Sequence, residues 1–337
     1  MVGTTGDKQK QKECAAHEVV DRPASWANLN DYAGRAAHFY NARMLPTELM
    51  RQVRRLQLRA RRAVQTLLGG EYRSTFKGTG LSFDEVREYR PGDDVRSIDW
   101  NVTARMDAPY IKRYVEEREL TVLLLMDVSG SLNFGSQAMT KRTVAAELAA
   151  LIAFSANANN DRVGLITHSD AVERFIRPAR GARHILRVLR DVLYFEPTRA
   201  GTSLRAGLDW LNRSQRKRAI VFVFSDFADT GYEQALRLAG RKHDLVAVRV
   251  GDPLEEALPD VGLMSLVDAE TGRRTLIDTH SRTLRDAYAA RARERREAFQ
   301  KLTRSVPIDL IDVGTGGGHF DELLRFFRIR ERRRKHS

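Results

Sequence analysis

The sequence has almost no cysteine and no long apolar run, and both absences restrict the class of protein. Its 337 residues contain one cysteine, Cys14, so no disulfide can form within the chain. No stretch approaches the roughly 18 consecutive apolar residues of a membrane helix, and the polar start at residues 1–10 lacks the apolar core of a secretory signal. We therefore expect a cytoplasmic protein with no membrane span.

A nucleotide-binding motif is also missing. The chain has no Gly-x-x-x-x-Gly-Lys-Ser/Thr loop, so we expect any ATP hydrolysis to belong to a partner. A glycine cluster at residues 314–318 stands before a predicted helix, where backbone amides could cradle a phosphate. We interpret this cluster as an ordinary loop that leads into the helix.

The charge is strongly one-sided. Lysine and arginine number 57 against 44 aspartate and glutamate residues, a formal net charge of +13. Such an excess can hold acidic protein surfaces or the phosphates of nucleic acid. The arginines are spread over several predicted helices, and we find no recognition helix, zinc finger or aromatic RNA-binding motif. Nucleic-acid binding is therefore an alternative that we do not favour.

Against these absences stands one motif, Asp127-x-Ser129-x-Ser131, directly after the apolar run 121–126. It brings one carboxylate and two hydroxyls to alternate positions at the end of a predicted buried strand. Hard oxygen ligands of this kind suit Mg²⁺ or Mn²⁺ better than a softer metal. A loop with no ligand is the alternative interpretation of these three residues taken alone.

From residue 120 onward the apolar pattern alternates between strand and helix, which predicts an α/β fold with a doubly wound, mostly parallel sheet. The short link at Ser169 and Asp170 allows only an antiparallel hairpin, so we expect the third strand at the sheet edge. The predicted strands of the sheet are 120–126, 162–168, 172–176, 219–224, 245–250 and 308–313. A further hairpin-like pair is predicted at 263–268 and 274–278. The predicted helices are 140–158, 181–194, 203–213, 231–241, 281–304 and one from about 319.

In the common strand order 3-2-1-4-5, the first and fourth strands are neighbours at the point where ligands bind. Asp127 ends the first strand and Asp226 ends the fourth, while Thr202 lies in a loop above the same edge. The sequence therefore predicts one site from these three elements. His168 ends the second strand on the same side, and we interpret it as a structural residue.

These residues resemble the metal-ion-dependent adhesion site (MIDAS) of von Willebrand factor A (vWA) domains, which have a Rossmann-like fold. The resemblance implies that the two serines bind the metal directly, Thr202 directly or through water, and the two aspartates mostly through waters. It also implies one open position for a carboxylate from a partner. The family commonly has glycine where this chain has Phe227. The candidate metal residues are Asp127, Ser129, Ser131, Thr202 and Asp226.

A second resemblance lies upstream. The spaced residues of the segment 73–105, among them Pro91-Gly92-Asp93-Asp94 and Asp99-Trp100-Asn101, resemble the bacterial domain-of-unknown-function family 58 (DUF58), as does Glu116-Glu117-Arg118-Glu119. Members are typically encoded beside AAA+ ATPases of the MoxR class. The resemblance implies such an ATPase as a partner in chaperone-like assembly or activation of client proteins.

We divide the chain into four regions. Residues 1–45 are predicted to be a disordered or loosely docked tail, and 46–118 an N-terminal basic helix followed by a small β-rich extension. Residues 119–328 are predicted to be the vWA-like domain, and 329–337 a basic tail. We expect the extension to pack on the sheet with Trp100 as a large buried aromatic. Its aspartates could form a nuclease-like cluster, but interleaved arginines favour structural ion pairs.

The function predicted from these patterns is a metal-dependent, protein-binding adaptor rather than an enzyme. A metal-assisted hydrolase using Asp127 and Asp226 is the main alternative. Against it, no histidine, cysteine or lysine adjoins the motif in the sequence as a general base or nucleophile.

Overall fold

The computed structural model describes Leu58, Tyr72 and residues 82–106, 108–115, 120–199 and 201–335. The predicted tail 1–45, the predicted basic helix except for Leu58, and residues 116–119 lie outside the described residues. The α/β region is therefore described from Leu120 onward, apart from residue 200.

The extension upstream of the main sheet forms a two-stranded antiparallel sheet of its own. Strand β1 (Ser82–Glu88) pairs with β2 (Tyr110–Val115), and the connection contains a 3-10 turn (Val95–Ser97) and helix α1 (Trp100–Thr103).

Two aspartates of the extension, Asp93 and Asp99, have structural partners. Both oxygens of Asp93 accept hydrogen bonds from Arg87, at 2.9 and 2.7 Å, and Asp99 accepts from the first amides of α1. The ion-pair interpretation therefore holds for Asp93. The prediction that Trp100 is buried is wrong, because 67% of this residue is exposed. Trp100 is the first residue of a one-turn helix that Asp99 caps, and most of its side chain lies in solvent.

The main sheet has six strands in the order β10-β7-β6-β3-β4-β5. All neighbouring strands are parallel except β4 and β5, so the predicted mostly parallel, doubly wound α/β sheet is confirmed. The strand after the 169–170 link lies at the edge, as expected. The strands are β3 (Thr121–Asp127), β4 (Arg162–His168), β5 (Val172–Ala179), β6 (Ile220–Ser225), β7 (Asp244–Gly251) and β10 (Ile308–Gly314).

Helices cover both faces of this sheet. One face packs against α2 (Lys141–Ala158), α3 (Ala182–Tyr194) and α8 (His319–Lys335). The other packs against α4 (Leu204–Ser214), α5 (Glu233–Lys242) and α7 (Arg282–Arg304). The four central strands β3, β4, β6 and β7 are buried on both faces, which explains their continuous apolar runs. A one-turn helix, α6 (Pro253–Glu256), follows β7.

A small hairpin stands apart from the main sheet. Strand β8 (Leu263–Val267) pairs with β9 (Arg274–Asp278) in antiparallel fashion. Its inner face forms a small core with Leu258, against which Leu284 and Tyr288 of α7 pack. The hairpin is therefore fixed to the α/β unit through α7.

Tyr72 joins the upstream part of the chain to the main core. Only 1% of this residue is exposed, its ring lies edge-on to Phe327 of α8 at 6.1 Å, and its hydroxyl donates to Asp161 Oδ2 at 3.2 Å. Burial and the nearby Asp161 carboxylate raise the pKa of the Tyr72 hydroxyl well above its ordinary value. The tyrosine therefore stays protonated and can donate.

Helix α8 runs across residue 329, where the sequence places the start of a basic tail. Arg330 on this helix contacts Asp309 at 2.9 Å and Asp244 at 2.6 Å, so the helix is held against β10 and β7 beyond that boundary. A membrane crossing needs a long apolar helix, and the described part of the chain contains none.

Candidate metal centre

The site is built at the carboxyl edge of the sheet, where β3 and β6 end side by side. Asp127 is the last residue of β3 and is fully buried. Its Oδ1 accepts from the Ser129 backbone amide at 2.9 Å, and its Oδ2 accepts from the Ser225 hydroxyl of β6 at 3.0 Å. These two bonds fix the Asp127 carboxylate between the two strands.

The two serines of the motif lie next to each other. The hydroxyl oxygens of Ser129 and Ser131 are 3.1 Å apart, and both residues are buried. Adjacent ligands on an octahedral Mg²⁺ are about 3.0 Å apart, since each lies about 2.1 Å from the ion. The spacing of the hydroxyls therefore fits two neighbouring ligands of one ion.

Asp226 is engaged by a lysine that the sequence analysis missed. Lys141, fully buried in the first turn of α2, donates to Asp226 Oδ2 at 2.8 Å and also pairs with Glu255 of α6. No lysine lies next to the Asp127-x-Ser129-x-Ser131 motif in the sequence, but in the folded protein Lys141 contacts the site. The expectation that no lysine adjoins the site is therefore wrong. A lysine directly after the capping Thr140 was the only signal, and nothing in the sequence identified its partners.

The charges of this pair follow from their contacts. Burial raises the pKa of Asp226, but the Lys141 ammonium and the hydrogen bonds to the carboxylate outweigh it and leave the pKa below its ordinary value. The pKa of Lys141 is raised, because Asp226 and Glu255 overcome the effect of its burial. Asp226 is therefore an anion whose charge Lys141 balances.

Asp127 differs from Asp226 in this respect. Burial raises its pKa, repulsion by Asp226 adds to this, and His168 opposes it. The described residues place no lysine or arginine within ion-pair distance of Asp127. A buried carboxylate without a counter-charge is costly, so this position favours a bound cation.

Thr202 reaches the same edge from the loop before α4. Its hydroxyl donates to Glu270 Oε1, on the turn between β8 and β9. Burial raises the pKa of Glu270 and the Thr202 hydrogen bond lowers it, while repulsion by Asp268, Asp127 and Asp226 raises it further, so that the net pKa is raised. The Glu270 carboxylate therefore interacts electrostatically with Asp127 and Asp226. No pattern in the sequence identified Glu270 as part of the site.

His168 ends β4 beside Asp127, its register partner in β3. Its fully buried ring packs against α4 so closely that a Cβ at Gly207 would lie 2.7 Å from the ring. Its Nδ1 lies 3.4 Å from the Ser169 carbonyl. This packing supports the interpretation of His168 as a structural residue.

Phe227 has a backbone conformation that usually favours glycine. Its φ is +55°, in the left-handed region that glycine adopts without strain. Its amide donates to the Ser225 hydroxyl at 3.1 Å, and its ring stacks on Phe299 of α7 with 4.4 Å between the ring centres. The aromatic contact therefore holds the turn after β6 in place.

A cleft opens beside Asp226. It has a volume of about 530 Å³ including the part open to solvent, and its lining combines the acidic Glu255 and Glu256 with Arg249, Arg295 and Arg296. Arg249 and Arg296 both pair with Asp312, at 2.8 and 2.9 Å. The sheet edge at Asp226 therefore borders a solvent-filled cleft, and three of the side chains that line this cleft are arginines.

The five candidate residues lie within one region, but carboxylates alone do not make a metal site there. Among the described residues, no group of three or more His, Cys, Asp or Glu side chains is arranged to hold a metal ion. A metal ion would therefore depend on the hydroxyls of Ser129, Ser131 and Thr202. Their oxygens, with the buried Asp127, form a hard donor set that suits Mg²⁺ or Mn²⁺.

Two sequence comparisons bear on this chain. The family described as "Protein of unknown function DUF58" matches residues 85–298. An uncharacterized protein of Mycobacterium tuberculosis is 34% identical over 292 residues, which cover 85% of this chain and 90% of the relative. An uncharacterized protein of Mycobacterium avium is 32% identical over 162 residues, 46% of this chain and 94% of that protein.

Solved structures give weaker likenesses. BatB from Bacteroides thetaiotaomicron has a TM-score of 0.39 at 14% identity, over 63% of this chain and 99% of its own. The VWA domain of SpRpn10 has a TM-score of 0.35 at 14% identity, over 61% and 94%. Likenesses of this strength leave the function to be argued from the residues themselves.

Proposed function

We propose that this protein, which belongs to the DUF58 family of proteins of unknown function, is a metal-dependent, protein-binding adaptor. The observation that carries this proposal is the buried Asp127 carboxylate, without an ion-pair partner among the described residues, beside two serine hydroxyls 3.1 Å apart. Ser129, Ser131 and Thr202 would hold Mg²⁺ or Mn²⁺, and Asp127 would balance part of its charge.

The ion would supply a positive charge that attracts a carboxylate from a partner protein. Neutral hydroxyls leave most of the charge of the metal uncompensated, and Lys141 already balances Asp226. Among the five candidate residues, Asp127 is therefore the one carboxylate that is not already paired with a lysine or arginine of the described residues, and it would offset part of the charge of a divalent ion. An acidic side chain of a partner would complete the charge balance.

The partner that we propose is an AAA+ ATPase of the MoxR class, with which this protein would act in chaperone-like assembly or activation of clients in the cytoplasm. The family resemblance suggests this partner, and the net charge of +13 suits an acidic surface. Because the sequence has no nucleotide-binding loop of its own, ATP-driven work would come from the other chain.

The metal-assisted hydrolase draws less support from the geometry. Asp226, which it needs as a second functional carboxylate, is tied to Lys141 at 2.8 Å. His168, the histidine nearest in register, is packed against α4. We therefore propose a binding role without catalysis.

Calorimetry with Mn²⁺ tests the metal site. Asp127→Asn with Ser129→Ala should weaken Mn²⁺ binding by more than about tenfold, since even outer contacts of a metal site contribute that much. Ser214→Ala, at an exposed position at the end of α4, is the matched control and should bind as wild type does. Unchanged Mn²⁺ affinity in the double variant, with an intact circular dichroism spectrum, would refute the site.

A further inference from the structure

We propose that Glu270, on the turn between β8 and β9, is a further ligand of the metal and occupies the position that a partner carboxylate would otherwise take. The inference rests on the metal site proposed above and adds a ligand supplied by this chain itself. A partner would then have to displace Glu270 before its own carboxylate could reach the ion.

The first observation is the contact with Thr202. The Thr202 hydroxyl, one of the candidate metal ligands, donates to Glu270 Oε1. The Glu270 carboxylate therefore lies within one hydrogen bond of a ligand oxygen. A carboxylate at this distance can bind the same ion with only a small movement of its side chain.

The second observation is how closely the hairpin turn sits on the Asp127-x-Ser129-x-Ser131 loop. A Cβ at Gly130 would lie 2.7 Å from the carbonyl oxygen of Ala269, the residue before Glu270. Only glycine allows this approach, because any other residue would push the turn away. The position between the two serines is thus fitted to the hairpin.

The turn itself is held in shape by Asp268. Its Oδ1 accepts from the amides of Glu270 and Thr271, at 2.8 and 3.1 Å, and the Gly272 amide donates to its carbonyl at 2.8 Å. Gly272 has a φ of +69°, which glycine adopts at little cost. The position of Glu270 is therefore built into the hairpin and does not depend on a flexible loop.

The third observation is the set of ion pairs around the site. Lys141 pairs with both Asp226 and Glu255, whereas the described residues place no lysine or arginine in an ion pair with Asp127 or Glu270. Asp127 and Glu270 are therefore the two carboxylates that would offset the charge of a divalent cation between them.

The consequence is a site that is closed by its own chain. A carboxylate on the same chain acts at a high effective concentration, so a weak acidic ligand from solution competes poorly with it. A partner has to supply additional contacts that move the hairpin. Glu270 would thus make the site selective for a partner that engages both the metal and the β8–β9 hairpin.

Mn²⁺ titration of the full chain by calorimetry tests the proposal. Glu270→Gln keeps the size of the side chain and its acceptor for Thr202, and it should weaken Mn²⁺ binding by about tenfold or more. Glu294→Gln removes an exposed carboxylate from α7, and this control should bind as wild type does.

A second readout follows the hairpin directly. Mg²⁺ should slow the hydrogen–deuterium exchange of the backbone amides of residues 268–272 in wild type and in Glu294→Gln. It should not slow their exchange in Glu270→Gln. If wild type and Glu270→Gln bind Mn²⁺ with the same affinity, Glu270 is not a ligand, and the metal site itself is still supported. Wild type that binds no Mn²⁺ overturns the metal site and the role of Glu270 together.

Discussion

At the scale of single residues, Lys141 determines how charge is divided at the edge of the sheet. A buried lysine without partners loses its proton readily, but here Asp226 and Glu255 raise its pKa. The ammonium therefore stays charged and neutralises one of the two aspartates that end neighbouring strands. Asp127 lacks such a partner among the described residues, and this is why we propose that it offsets the charge of a metal ion.

Replacing this lysine tests that division of charge. Lys141→Met should lower the free energy of unfolding by about 3–5 kcal/mol without metal, because removing one member of a buried ion pair leaves carboxylates uncompensated. Urea unfolding followed by circular dichroism measures the change. Lys217→Met, at an exposed position, should change it by less than about 0.5 kcal/mol. Equal unfolding midpoints for the two variants would show that Lys141 carries no buried charge.

At the scale of elements, two aromatic residues that precede the main sheet in the chain differ in role. Tyr72 is buried against Phe327 of α8 and bonded to Asp161, whereas 67% of Trp100 is exposed on α1. Burial raises the pKa of Asp161 to about 6, against the hydrogen bonds from Leu120 and Tyr72. Tyr72, and not Trp100, is therefore the one of these two residues that packs against the main core.

Alanine substitutions separate these two roles. Tyr72→Ala should destabilise the protein by about 3–5 kcal/mol, as loss of a fully buried aromatic side chain does. Trp100→Ala is the matched control, and it should change stability by less than about 0.5 kcal/mol because the residue lies mostly in solvent. Thermal melting measures both variants. A larger loss for Trp100→Ala than for Tyr72→Ala would contradict the packing of the upstream region.

At the scale of the whole molecule, some of the arginines that contribute to the net positive charge form ion pairs with aspartates of the same chain. Arg330 contacts Asp309 and Asp244, and Arg249 and Arg296 share Asp312. Arg295 lines the cleft beside Asp226, one of the five candidate residues. The net charge of +13 therefore includes a basic group near one side of the proposed site.

A pull-down with a MoxR-class AAA+ ATPase tests this partnership. We expect recovery in the presence of Mg²⁺, weaker recovery with a chelator or with Ser131→Ala or Thr202→Ala, and a further decrease as salt screens the charges. Ser214→Ala again serves as the control. If the chelator leaves recovery unchanged, the metal has no part in the complex, and if the ATPase is not recovered at all, the proposed partner is wrong.

The sequence by itself determined the local elements and the position of the antiparallel edge strand. Continuous apolar runs identified strands buried on both faces, and the two-residue link before β5 required an antiparallel edge strand. The predicted helix starts at residues 140 and 203 coincide with the residues that cap helices α2 and α4, Thr140 and Ser203. These signals are local, because each follows from the period of apolar residues or from a cap within a few positions.

Only the tertiary structure decided which side chains meet at the site. Lys141 and Asp226 are 85 residues apart in the chain, Thr202 and Glu270 are 68 apart, and Tyr72 and Asp161 are 89 apart. The apolar period shows which face of a helix is buried, but it does not show which residue of another element lies opposite. A buried lysine and a hairpin glutamate have no distinguishing pattern in the sequence, so their roles emerge only when the elements are packed together.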